Sequence, residues 1–298
     1  MGCSEVYDLD RNLAHVELPD GRMVYSVSYV RDAGGRITQR IEMISGVTTT
    51  YDYAYDGFGR LDQVRENAIL VADYAYDDNG NRSSVTRPGR TVSGTYDAQD
   101  RILSDGTHTY AHNANGDLVS RTDTATSATT TFLYDEMGAL LQATLPDGRV
   151  VDYLIDARNR RIGKRVDGIL ERAWLYDDQL RPGAELDGAG NVVSVFVYAD
   201  GPAGGAPDYM VRGGVTYRFL TDHVGSPRLV VDAATGAIAQ RVDFDEYGRV
   251  LADSNPGWQP FGFAGGLRIG ARHCRTGGTG GHDPALRLAL STVGATDG

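Results

Sequence analysis

Thr49-Thr50-Tyr51-Asp52-Tyr53-Ala54-Tyr55-Asp56-Gly57-Phe58-Gly59-Arg60-Leu61 carries the argument for the whole chain. Up to Tyr55 the tyrosines alternate with small or polar residues, the two-residue period of a strand with one aromatic face. Asp56 can bond its own backbone two residues on, and Gly59 can take a positive φ, as a short hairpin with a bulge requires. The chain then returns through Arg60-Leu61-Asp62-Gln63-Val64. The unit is one β-hairpin, and a lone hairpin is marginal in water, so neighbours must stack to bury its tyrosines and valines.

The same unit recurs along the chain. Tyr76-Asp77-Asp78-Asn79-Gly80-Asn81-Arg82, Tyr96-Asp97-Ala98-Gln99-Asp100-Arg101 and Tyr134-Asp135-Glu136-Met137-Gly138 are close copies, with looser ones at His112-Asn113, Ile155-Asp156 and Tyr176-Asp177. Taking the tyrosine positions as 55, 76, 96, 112, 134, 155 and 176, successive spacings are 21, 20, 16, 22, 21 and 21 residues. An internal repeat of this period decides the architecture before any single residue does. Tyr7-Asp8 and Arg31-Asp32-Ala33-Gly34-Gly35-Arg36 fit the turn as well, and Leu18-Pro19-Asp20-Gly21-Arg22 returns verbatim as Leu145-Pro146-Asp147-Gly148-Arg149. With copies this early, the array is expected to begin at the N-terminus with no cap or leader ahead of it.

Downstream, Tyr217-Arg218-Phe219-Leu220-Thr221-Asp222-His223-Val224-Gly225-Ser226-Pro227-Arg228-Leu229-Val230, Asp245-Glu246-Tyr247-Gly248-Arg249-Val250 and Asn255-Pro256-Gly257-Trp258-Gln259-Pro260-Phe261-Gly262-Phe263-Ala264-Gly265-Gly266 add a second, more specific pattern. Together with the repeats it resembles the Rhs, or YD-repeat, family of bacterial polymorphic toxins, related to the C component of insecticidal Tc toxins and to the shell of teneurins. The resemblance covers roughly residues 5 to 267. It implies an all-β fold, an array of antiparallel hairpins in a curved or spiralling sheet that forms part of a hollow shell. It also implies a core, at its C-terminal end, that plugs the shell. The expected organisation is a repeat array over 5–200, a partial Rhs-associated core over 209–267 and a degenerate or disordered tail over 268–298.

In relatives the core ends in a self-cleaving segment with an Asp-Pro-x-Gly pattern, followed by a variable toxin. Here Asp283-Pro284-Ala285-Leu286 puts Leu at the glycine position, and no aromatic residue occurs after Phe263. Self-cleavage is therefore not expected. A short helix over 283–292 is the single helical expectation, because ten prolines and the Asp/Asn-Gly turns argue against long helices.

Several candidate chemistries have structural competitors. Asp222, His223 and Ser226 are the residue types of a hydrolase triad, yet they fall on one turn, whereas triad members converge from separate segments. Asp77-Asp78-Asn79-Gly80-Asn81 and Asp187-Gly188-Ala189-Gly190-Asn191 look like pieces of calcium loops without the closing Glu, and hairpin turns explain them without a metal. His273, Cys274, His282 and Asp283 lack paired zinc-ligand spacing. Cys3 and Cys274, at opposite ends, suggest free thiols and not a disulfide. No cofactor is called for and no catalytic residue is assigned. The tyrosine stripe could stack on sugar rings or form cross-strand ladders, and the ladder is the favoured reading. The repeat residues expected to matter are Tyr55, Asp56, Gly59, Tyr76, Asp77, Gly80, Tyr96, Asp97, Tyr134, Asp135 and Gly138; in the core they are Asp222, His223, Gly225, Ser226, Tyr247 and Gly248.

A net charge of −11 argues against electrostatically driven binding to nucleic acid or anionic membranes. No apolar run is long enough to span a membrane and no signal peptide is visible. The compartment is left open; secretion or display at the cell surface would use a dedicated secretion system. The leading functional expectation is a structural shell piece that encloses or chaperones an effector absent from this chain. The partners would be other Rhs repeats or that effector. The alternatives are a glycan-binding adhesion repeat and the remnant of a self-cleaving core.

Overall fold

The computed structural model describes residues 4–7, 13–17, 21–198 and 205–268. The expectations for the tail beyond Arg268, for Cys3 and for the 283–292 helix lie outside the described residues. What is described is strand and turn, with one 3-10 turn at Phe263–Gly265. The chain divides into two compact units, Met1–Gly116 with Ser120–Thr129, and Asp117–Val119 with Thr130–Gly298.

In the first unit nine antiparallel strands, from Ser4–Tyr7 to Arg90–Ser93, lie in chain order. Three short strands follow, Thr95–Tyr96, Ile102–Ser104 and His108–His112. In the second unit strands pair with their sequence neighbours through to Val250–Asp253. The fold is an all-β array of antiparallel hairpins, as the repeat demands.

Each repeat supplies two strands and two kinds of turn. The Tyr-Asp turn joins Val47–Tyr55 to Leu61–Glu66, with a register shift between Ala54 and Tyr55 that marks the bulge. The return turn is a two-residue hairpin with positive φ at both central residues, seen at Ser45 (49°) and Gly46 (82°), Asn67 (48°) and Ala68 (66°), and Asp167 (49°) and Gly168 (80°). This is the primed turn whose twist matches that of the flanking strands. Asn67 and Asp167 also tie it to the preceding strand, accepting from the backbone N–H of Thr50 at 3.0 Å and Val150 at 2.8 Å.

Strand alternation sorts the side chains onto two faces. One carries Tyr53, Val64, Ala72, Tyr74 and Val85 in successive register, with Val64 and Tyr74 buried. Burying a side chain of this size is worth about 1.5–3 kcal/mol relative to leaving it in water. The other face is polar, stitched by Gln39 to Asp52 (2.7 Å) and Gln63 to Asp73 (2.9 Å), with Gln142 to Asp152 (2.8 Å) in the second unit.

Candidate functional site

The Tyr-Asp turn is built by one carboxylate. Asp56 Oδ1 accepts from the N–H groups of Phe58 and Arg60, both at 2.9 Å, while Gly59 N–H donates to the Asp56 carbonyl at 2.9 Å. The second oxygen, Oδ2, takes the Nε–H of Arg60 at 2.7 Å. The fourth turn residue has positive φ: Gly59 (81°), Gly80 (88°), Gly138 (79°), and without glycine Asp100 (60°) and Asn159 (59°). Asp77, Asp97, Asp135, Asp156 and Asp187 use the same two-and-four pattern or its four-residue half. The fifth residue, Arg or Asn, returns to Oδ2 at Arg101 (2.6 Å), Arg160 (2.8 Å) and Asn191 (3.0 Å). Hydrogen bonds from the Arg160 side chain, and then from its backbone, hold the Asp156 carboxyl below the usual carboxylate range, and the Asn191 side chain does the same for Asp187.

The carboxylates of Asp77 and Asp187, read as fragments of calcium loops, thus turn inward on their own backbone. Among the described residues no cluster of three or more His, Cys, Asp or Glu could hold a metal ion. His273, Cys274, His282 and Asp283 lie outside the described residues. Two copies vary the scheme. After Tyr176 the turn amides of Leu180 and Arg181 bond Asp178 instead of Asp177, and after Thr144 Leu145 takes the aspartate position while Asp147 holds Arg149.

The tyrosines link one repeat to the one before. Tyr55 Oη donates to the Ile37 carbonyl (2.7 Å), Tyr76 to Leu61 (2.6 Å), Tyr96 to Arg82 (3.1 Å), Tyr176 to Arg161 (3.0 Å) and Tyr198 to Pro182 (3.2 Å). In every case the acceptor is the residue immediately after the preceding turn. That turn's arginine lies over the ring: Arg36 on Tyr55 (4.7 Å), Arg60 on Tyr76 (4.6 Å), Arg160 on Tyr176 (5.0 Å) and Arg181 on Tyr198 (5.3 Å). Arg60 also donates to the Asp77 carbonyl at 3.2 Å. One guanidinium therefore neutralises its own turn, caps the next aromatic ring and bonds the next turn, a set of contacts that a planar fork can make and an ammonium cannot. The sequence reading missed this arginine, although its signal, Arg or Asn four residues after the turn aspartate, was present at 36, 60, 81, 101, 160 and 191.

The second candidate site is the core. Asp222 Oδ1 accepts from Val224 N–H (3.0 Å) and Ser226 N–H (2.8 Å), and Gly225 has φ 84°. Ser226 is fully buried, and its Oγ accepts the N–H of Ala264 at 3.0 Å, while His223 is exposed. The three residues considered as a triad thus serve a turn, a surface and a bridge. Tyr247 and Gly248 belong to a further copy of the turn, on Asp245, with Gly248 at φ 79°.

Ser226 reaches a segment that folds back over the sheet. Phe261 packs edge-on between Phe196 (4.9 Å) and Phe219 (5.8 Å), and Trp258 meets Tyr217 edge-on (4.8 Å). The three phenylalanines, with Met210 and Val230, form a buried cluster against which Tyr217 and Trp258 pack half-buried. Gly265 fits only as glycine: a Cβ there would stand 2.2 Å from Ala206 N, and its φ is 71°. In the same unit Glu185, 1% exposed, is held by Arg172 and Arg212, and Arg212 donates to Ser194 Oγ at 3.0 Å and lies over Trp258 at 5.8 Å.

A family model described as the teneurin YD-shell matches residues 5–269. The chain belongs to the teneurin YD-shell family. Among curated proteins, teneurin-3 of Danio rerio is 28% identical over 256 residues, covering 82% of this chain, and teneurin-4 of Mus musculus is 26% identical over the same length. The YD-shell chain spans 9% of the length of these relatives. Among solved structures, the crystal structure of TcdB2-TccC3 superposes with a TM-score of 0.54 over 89% of this chain and 16% of that one. At 15% identity that likeness concerns the fold. The chain is thus a YD-repeat protein, related to the Rhs family that its sequence resembles.

Proposed function

We propose that this YD-shell chain is a non-catalytic wall segment of an Rhs-type shell, and that the complete wall encloses or chaperones an effector carried outside this sequence. Its partners are other YD repeats and that effector. The observation that carries the reading is the use made of the repeat's polar groups. The turn carboxylates hold their own amides, and the tyrosine hydroxyls and arginines bind one copy to the next, a division of labour suited to a wall. The fold-back segment around Phe261 supports assigning residues 209–267 to a closing core and 5–200 to the repeat array. The residue roles proposed earlier follow: the Tyr, Asp and Gly of each copy build the ladder, and Asp222, Gly225, Ser226 and Gly248 hold the core's turns.

The test is to extend the wall with further copies of the repeat, attach a protease-sensitive reporter domain after residue 268, and measure its digestion. Reporter cleavage at least tenfold slower than in the free domain, with hollow particles in electron micrographs, is the expected outcome. A reporter cut at the free rate would remove enclosure from the proposal. The glycan-binding alternative would displace it if an array returned a specific sugar and Tyr55→Ala or Tyr76→Ala abolished that signal.

A further inference from the structure

The repeat spacing contracts to 16 residues once, between Tyr96 and His112, and there the ladder tyrosine is replaced by histidine. The strands around it are short, and two of them are the shortest of the first unit: Thr95–Tyr96 and Ile102–Ser104 have 2 and 3 residues, and His108–His112 has 5. Few ladder bonds hold such an element, so local opening there costs less than in long hairpins. The preceding turn is intact, with Arg101 on Asp97 (2.6 Å) and reaching forward to the Asn113 carbonyl (3.4 Å). By analogy with the other copies the hydroxyl of a tyrosine at 112 would bond the Ile102 carbonyl. His112 instead has its Nδ1 buried with no partner among the described residues.

We propose that the hairpin over residues 102–112 is an acid-sensitive seam of the wall, with neutral His112 closing it and protonated His112 loosening it. A guanidinium that caps an aromatic ring favourably is repelled by an imidazolium in the same place. The charges acting on His112 are Arg101 and Asp97 of the preceding turn, and Asp97 is already committed to Arg101. Burial first, and then Arg101, lower the His112 pKa below its ordinary 6.5. The open form therefore binds the proton more readily than the closed one, so closure is fully favoured above about pH 6.5 and weakens as pH falls toward the folded value. On the same strand His108 lies 3.6 Å from Asp105 and 3.9 Å from Asp123, so its charged neighbours are carboxylates. The inference does not depend on what the wall encloses.

Hydrogen exchange of the full chain between pH 7.5 and 5.0, expressed as protection factors corrected for intrinsic exchange, tests it. Protection over 102–112 should fall by up to about tenfold per pH unit below pH 6.5, the slope of one proton taken up on opening. The histidine-free hairpin around Tyr76 should hold its protection. In His112→Tyr the fall should disappear, and in His108→Gln it should persist. Flat protection in the wild type, an undiminished fall in His112→Tyr, or a fall abolished only by His108→Gln would each overturn the assignment to His112.

Discussion

Tyr76 shows what one atom does in this fold. Its ring is one of the aromatic face, which phenylalanine would also supply, but its hydroxyl takes the Leu61 carbonyl at 2.6 Å. Tyr76→Phe should cost about 0.5–1.5 kcal/mol in urea unfolding, the worth of one intramolecular hydrogen bond; an unchanged midpoint would show that the tie is idle. Glycines separate in the same way. Gly59 has φ 81°, so Gly59→Val should lose at least about 1–2 kcal/mol, whereas Gly57, with no positive φ and open space around its Cα, should accept alanine. Ala68, at φ 66° in a primed turn, runs against its own preference, and Ala68→Gly should raise stability by about 0.5–1 kcal/mol despite the added chain entropy. All three comparisons are read from urea midpoints of otherwise identical protein.

At the scale of elements, the fold-back segment hangs on Phe261, Gly265 and the Ser226 bridge. Phe261→Ala should cost about 3–5 kcal/mol, as for large aromatic residues in cores, with the near-ultraviolet signal of Trp258 lost alongside. Gly265→Ala should be nearly as harmful, because the backbone at Gly205 and Ala206 occupies the space a methyl group would need. Ser226→Ala, which only orphans the Ala264 N–H, should cost about 1–3 kcal/mol. If Gly265→Ala melts with the wild type, the fold-back packing is wrong. The contrast with the repeats explains what could be read in advance. Asp56 and Gly59 act within five residues of each other, so a sequence window contains both partners. Glu185 with Arg172 and Arg212, or Gly265 against Ala206, join positions whose proximity depends on the sheet already being formed, and no local pattern marks them. The two-residue turns at Ser45-Gly46 and Asp167-Gly168 were legible but were overshadowed by the louder tyrosines.

For the whole molecule, the described strands within each of the two sheets pair with their sequence neighbours, so stability is a sum of repeat and interface terms more than a property of one centre. Urea unfolding followed by hydrogen exchange should show separate openings along the chain; one concerted transition for every amide would contradict a modular array. Acid should act broadly too. Turn aspartates such as Asp32, Asp156 and Asp187 are held below their ordinary pKa by hydrogen bonds from Arg36, Arg160 and Asn191. Their contribution is complete above about pH 4, the unfolded carboxylate value, and is lost as pH falls through the folded values. The melting temperature should therefore drop steeply below pH 4, and substituting Asp156→Asn should flatten that drop.

The tyrosine ties also have a direction. Tyr55, Tyr76, Tyr96, Tyr176 and Tyr198 all reach back to carbonyls made 14 to 18 residues earlier. On a ribosome each acceptor has left the exit tunnel before its donor arrives, so each of these copies can latch onto finished structure the moment it emerges, and the array can grow as a one-way ratchet along the chain.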